Sequence, residues 1–378
     1  MKAIIDVREW QTTVDMKTGI PCEYNGELAD KLKALAHEMP YPGDTGIEGI
    51  DWTFSGASKL LKLHDPNLLS LNFTHSYFAG LNRPLDSKSR SEGIKRILSG
   101  IDKFAEENSF KKIVVFTGDK TPHLGVVDMP ETKGILQGTA WSNSMAGIFH
   151  SEKGDLEKAR LAEHIDRIIL REEIVSKSSN PFFKKHVPDI LLVASKGWSF
   201  KGFASNNVSA YNIETQQPFL PVYSDIGMPE HIERVCPLIK QALGRGDRVL
   251  LAIVEGVGSE DLSENSYEFS MVQNTRDWYS YGGYSLYYTL ATGKTFYEFD
   301  YPPVFDMNMD RPFPEPYPFS MSISQPCSDS IFRDENIRSL AVGSRSLATH
   351  TILNADISME CYIRSMNNMG VMIVVNEE

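Results

Sequence analysis

The sequence predicts an α/β fold: three layers, with a mostly parallel or mixed sheet covered by helices on both faces, plus a second α/β portion. Three observations predict it. Short apolar bursts recur along the 378 residues, helical patterns lie between them, and turn signals separate the two. Strands buried on both faces read as near-continuous apolar runs, and strand–helix alternation builds such sheets.

In chain order the expected strands are Ala3–Ile5, Leu68–Leu71, Ile113–Phe116, Ile190–Ala194, Val249–Val254 and Val371–Val375. The expected helices are Leu28–His37, Ser87–Glu107, Asp155–Ile169, Pro229–Leu243 and Ala348–Asn367. In the second helix Ile94, Ile97, Leu98, Ile101 and Phe104 fall three and four apart and form one apolar stripe. Pro237 is expected to kink or split the fourth. Gly293 reads as the left-handed residue that ends a helix. The aromatic run 278–288 reads as core or subunit contact.

The turn Asp225-Ile226-Gly227-Met228-Pro229 divides the chain into an expected α/β domain, 1–225, and a carboxyl-terminal α/β domain, 226–378. The second domain carries 297–319, rich in proline and aromatics, which cannot be one helix. It reads as an ordered arm in a homo-oligomer or as a loop wrapped over its own domain.

The formal charge of −12 argues against nucleic acid or an anionic membrane as the main partner, since both need a basic face. Four cysteines, far apart and without CxxC spacing, fit reduced thiols in a cytoplasmic protein rather than a disulfide framework. The start, MKAIIDVREW, reads as a strand and not as a signal peptide.

The strand Ile113–Phe116 runs into Gly118-Asp119 and so sets a carboxylate at the carboxyl edge of a sheet, where ligands and metals sit. Lys2-Ala3-Ile4-Ile5-Asp6 has the same form, and Leu68–Leu71 leads into Asn72-Phe73-Thr74-His75. Asp155–Ile169, Pro188–Ala194 and Gly197-Trp198-Ser199-Phe200 follow in order. In that order of elements, residues 1–225 resemble the alkaline phosphatase superfamily, in particular its metal-dependent phosphodiesterase and phosphoglycerate mutase-like members. The resemblance implies a metal-dependent phosphoester hydrolase with a divalent metal (zinc, manganese or magnesium). Asp6 and Asp119 match its ligand positions, and His75 and His123 stand close enough in sequence to substitute. The chain departs from the family pattern at several places. Tyr77 and Leu81 stand where an Asp and a His belong, Lys120 follows Asp119, and Ser205-Asn206-Asn207 replaces the closing Thr-His-Gly. The alternative reading makes Asp6 and Asp119 helix caps or turn formers.

Two further stretches carry chemistry. Ser344, Arg345 and Ser346 precede an expected helix containing His350, an arrangement suited to a small anionic molecule, or to simple capping. Glu255-Gly256-Val257-Gly258-Ser259-Glu260-Asp261 reads as a tight turn whose acids suit a hard cation. The sequence therefore supports three functions. The first is a hydrolase of a phosphoester or related oxo-anion, and the second a non-catalytic member of the fold that binds a partner or assembles. The third is an enzyme with its anion site relocated to Gly343–Ser346.

Overall fold

The computed structural model describes residues 2–6, 12–15, 20–43, 46–77, 87–138, 144–178, 184, 187–200, 211–214, 218–263, 267–274, 284–295, 298, 327–343, 352–365 and 368–376. Its first strands are β1 (Lys2–Asp6), β2 (Thr12–Asp15), β3 (Leu68–Phe73), β4 (Lys111–Thr117), β5 (Asp119–Pro122) and β6 (Gly125–Val126). Then come β7 (Ile135–Gly138), β8 (Met145–Phe149), β9 (Ile165–Leu170), β10 (Ile190–Ala194), β11 (Trp198–Ser199) and β12 (Tyr211–Glu214). The last are β13 (Phe219–Ser224), β14 (Val249–Glu255), β15 (Ser270–Gln273), β16 (Ser339–Gly343), β17 (Ile357–Ser365) and β18 (Asn368–Asn376).

Ten strands form the main sheet in the order β15-β13-β4-β14-β3-β16-β17-β18-β1-β2. The central run β4-β14-β3-β16-β17 is parallel, and the strands outside it add antiparallel neighbours. The fold class expected from the sequence is the one observed. The boundary at 225 does not divide this sheet, because β14 lies between β4 and β3 and β18 lies beside β1. The arm 297–319 lies outside the described residues except for Glu298.

Strand alternation splits the sheet into two faces. One carries Leu69, Leu71, Phe73, Leu250, Ala252, Val254, Leu340 and Val342, packed under helices Glu27–Glu38, Glu48–Leu61 and Ser87–Glu107. The other carries Leu68, Leu251, Ile253, Val115 and Ala341 under helices Val235–Gly244 and Tyr284–Thr292. Tyr287 and Tyr288 are fully buried there, as the core reading of the aromatic run requires. Pro237 causes no kink: the helix starts at Val235, so proline sits in the first turn, where its missing N–H has no partner to lose. Gly293 ends its helix at φ +73°, as expected.

Two expected helices are otherwise. Ile357–Ser365 and Asn368–Asn376 pair as the antiparallel strands β17 and β18. Ile357 and Met359 alternate with Ser358 and Glu360, a period of two rather than 3.6. The pattern 155–169 holds only a helix Asp155–Leu161, then strand β9. His164, at φ 64°, turns the chain between them. The strand Ile190–Ala194 belongs to a separate antiparallel sheet, β7-β8-β10-β9. Its Met145, Leu191 and Val193 join the main core, and Ala146, Ile148 and Leu192 face a smaller cluster with helix Asp155–Leu161. Among the described residues no helix is long and apolar enough to cross a membrane.

Asp155 ties this smaller portion together. It is buried, and its carboxylate accepts the backbone N–H groups of Glu152 at 3.0 Å, Lys133 at 2.9 Å and Gly134 at 2.8 Å. Those bonds, the one from Glu152 foremost, hold its pKa below the ordinary carboxylate value. A depressed pKa contributes stability that is present above about pH 3.9 and is lost as pH falls through the lower folded value. Asp155→Asn is therefore expected to flatten the acid limb of thermal unfolding. An acid limb identical to that of the parent protein contradicts this.

Candidate functional site at the carboxyl edge

In an open parallel sheet ligands bind where neighbouring strands send their connections to opposite faces. Here β3 is followed by the helix Ser87–Glu107 on one face, whereas the chain leaving β14 passes a short helix Ser259–Ser263 on that same face and then β15 before it reaches Tyr284–Thr292 on the other, on its way to β16. The carboxyl end of β3, between β14 and β16, is therefore the switch point.

The face beneath Tyr284–Thr292 turns polar at this point. Register places Asn72 of β3 beside Gly343 of β16, and Gly343 beside Glu360 of β17. One step earlier, Ser70 and Ser358 flank Ala341. Ser70, Asn72, Ser358 and Glu360 are fully buried, and Glu255, at the end of β14, is 3 % exposed. Burying such groups costs free energy unless they are used. Glu255 Oε1 accepts the Tyr287 hydroxyl at 2.8 Å and the Asn72 amide Nδ2 at 3.3 Å. Gly343 is required here, because a Cβ on it would lie 2.6 Å from Asn72 Cβ.

The rim is locked by the loops. Gly256 stands at φ +74°, its backbone against Ser76 and Tyr77, and its N–H donates to the Thr117 carbonyl. Arg90, 3 % exposed, donates to both Asp261 oxygens at 2.9 and 2.6 Å and to the Gly256 carbonyl at 2.6 Å. Gly258 N–H also donates to Asp261. The acids of the loop 255–261 thus diverge. Asp261 is turned to Arg90, Glu260 to solvent and Glu255 to the crevice.

The residues expected to hold metal are not brought together. Asp6 ends β1 of the main sheet, whereas Asp119 opens β5, which pairs with β12 in a separate two-stranded sheet; β4, which leads into it, lies six strand steps from β1. At about 4.8 Å per step that is about 29 Å along the sheet, too far for a shared ion. His75 is buried, with Nε2 3.0 Å from the position of a Cβ on Gly93 in the helix over the opposite face. His123 bonds Ser199 at 3.3 Å, where β6 pairs with β11. Among the described residues no cluster of three His, Cys, Asp or Glu groups is poised for a metal. The two-ion centre of the resembled superfamily does not fit this donor set. Ser344, Arg345, Ser346 and His350 lie outside the described residues.

The thiols of buried Cys236 and half-buried Cys327 do not supply a nucleophile. Desolvation pushes Cys236 up to about 11, and Cys327 likewise to about 11. No family model, curated protein or solved structure matches the chain.

Proposed function

We propose that the protein is a hydrolase-like α/β protein that takes a phosphoester or related oxo-anion at the carboxyl edge of β3, β14, β16 and β17. One observation carries this reading: a buried set of Asn72, Glu255 and Glu360, with Ser70 and Ser358 beside them, on a largely apolar sheet face at the switch point. Glu255 is the general base. Tyr287 and Asn72 hold its carboxylate, so it can take a proton from water as the water oxygen bonds to phosphorus and the ester oxygen leaves.

The test is turnover of a panel of phosphoesters by the parent protein and by Glu255→Gln. Loss of at least about a hundredfold in the variant is expected. Equal turnover by the two overturns the assignment. The placing of Asp6 and Asp119 in two different sheets supports a second reading, in which the fold is kept and the crevice binds without reacting. That reading expects stabilisation by a phosphoester with no product formed.

A further inference from the structure

The crevice holds more oxygen than its hydrogen bonds use. Ser70 Oγ, Asn72 Oδ1 and Ser358 Oγ are buried with no hydrogen-bond partner among the described residues. All three belong to residues that are fully buried. They sit on β3 and β17, on either side of β16, which contributes only Ala341 and Gly343 to this face. The trough is this strip of small groups along β16, bordered by Ser70 and Asn72 on one side and by Ser358 and Glu360 on the other.

The direction of Asn72 is fixed from outside the trough. Tyr287 donates to Glu255, Glu255 accepts Asn72 Nδ2, and Oδ1 is therefore turned away from Glu255. The amide lies over Gly343, with Cγ 3.4 Å from where a Cβ there would be. Two strand steps, about 10 Å between backbones, separate Asn72 from Glu360. An ion bridging them has ligand distances of about 2.0–2.6 Å.

We propose that this trough binds one hard divalent cation of the magnesium or manganese class. Asn72 Oδ1 and the Glu360 carboxylate are its protein ligands. Water completes the coordination and meets the hydroxyls of Ser70 and Ser358. Glu255 acts one layer out, orienting the amide, as groups behind a metal ligand do. Oxygen-only donors with retained water suit magnesium or manganese rather than zinc. The proposal rests on the crevice being the working site.

Manganese titrated into the chelator-stripped full chain, followed by electron paramagnetic resonance, tests it. One bound manganese is expected, with Glu360→Gln weakening it at least about tenfold. Asn72→Asp is expected to tighten it, and Asp6→Asn and Asp119→Asn to leave it unchanged. No binding at millimolar manganese, or equal affinity in Glu360→Gln, overturns the proposal. If Glu360→Gln fails to fold, equal or weaker binding by Asn72→Asp does so instead. Phosphoester turnover that survives chelation, in a chain without manganese affinity, removes the cation and keeps the hydrolase reading. Manganese bound as expected with no turnover keeps the cation and removes that reading.

Discussion

Gly256→Val is expected to destabilise the protein by roughly 2–5 kcal/mol, the sum of a left-handed backbone carrying a side chain and overlap in a packed site. At φ +74° a Cβ on residue 256 would lie 2.5 Å from Tyr77 N, 2.6 Å from Tyr77 Cα and 2.8 Å from Ser76 C. These are backbone atoms, so no rotamer change relieves the overlap. The loops after β3 and β14 would have to separate at the mouth of the crevice. Urea unfolding measures the effect, and a change under about 1 kcal/mol shows that the two loops do not touch as described.

Arg90→Ala is expected to cost roughly 3–5 kcal/mol, because it strips a buried pair of one partner. The guanidinium joins the helix Ser87–Glu107 to the loop after β14 through Asp261 and the Gly256 carbonyl. A planar fork makes both contacts with Asp261 at once, which the point charge of lysine cannot do. Arg90→Lys should therefore fall between the parent and Arg90→Ala in urea unfolding. A loss in Arg90→Ala within the range of a surface salt bridge, under about 1 kcal/mol, contradicts the buried-pair description.

Local signals in the sequence found the elements where local physics decides them. The stripe Ile94–Phe104 marked its helix, whose bounds are Ser87–Glu107 as expected, and the apolar runs marked β3, β4 and β14. The helix Glu48–Leu61 was not among the expected elements. Its buried face is built partly from Gly49, Thr53 and Gly56, which are poor helix formers. Gly56 is used for close approach, since a Cβ there would lie 3.2 Å from Met359 Sδ on the sheet.

The site was legible only in part. That Asp6 ends one strand and Asp119 follows another is conveyed by the sequence. That six steps separate β1 from β4 follows from sheet order, which the sequence does not convey. Glu255 was visible as part of an acidic turn. Glu360 was hidden by reading 348–367 as a helix, although its alternation with Met359 marks a strand with one polar face. Asn72 had no signal of its own; only register sets it opposite Gly343 and Glu360.

The central claim is the location of the working site, and an anomalous difference map tests it most directly. Crystals soaked with magnesium and with tungstate, a heavy oxo-anion of phosphate shape, should show a tungsten peak in the crevice beside Glu255 and beneath Tyr287, next to the position between Asn72 and Glu360. A peak beside Asp6 or Asp119 instead, or an empty crevice at saturating tungstate, would contradict the account.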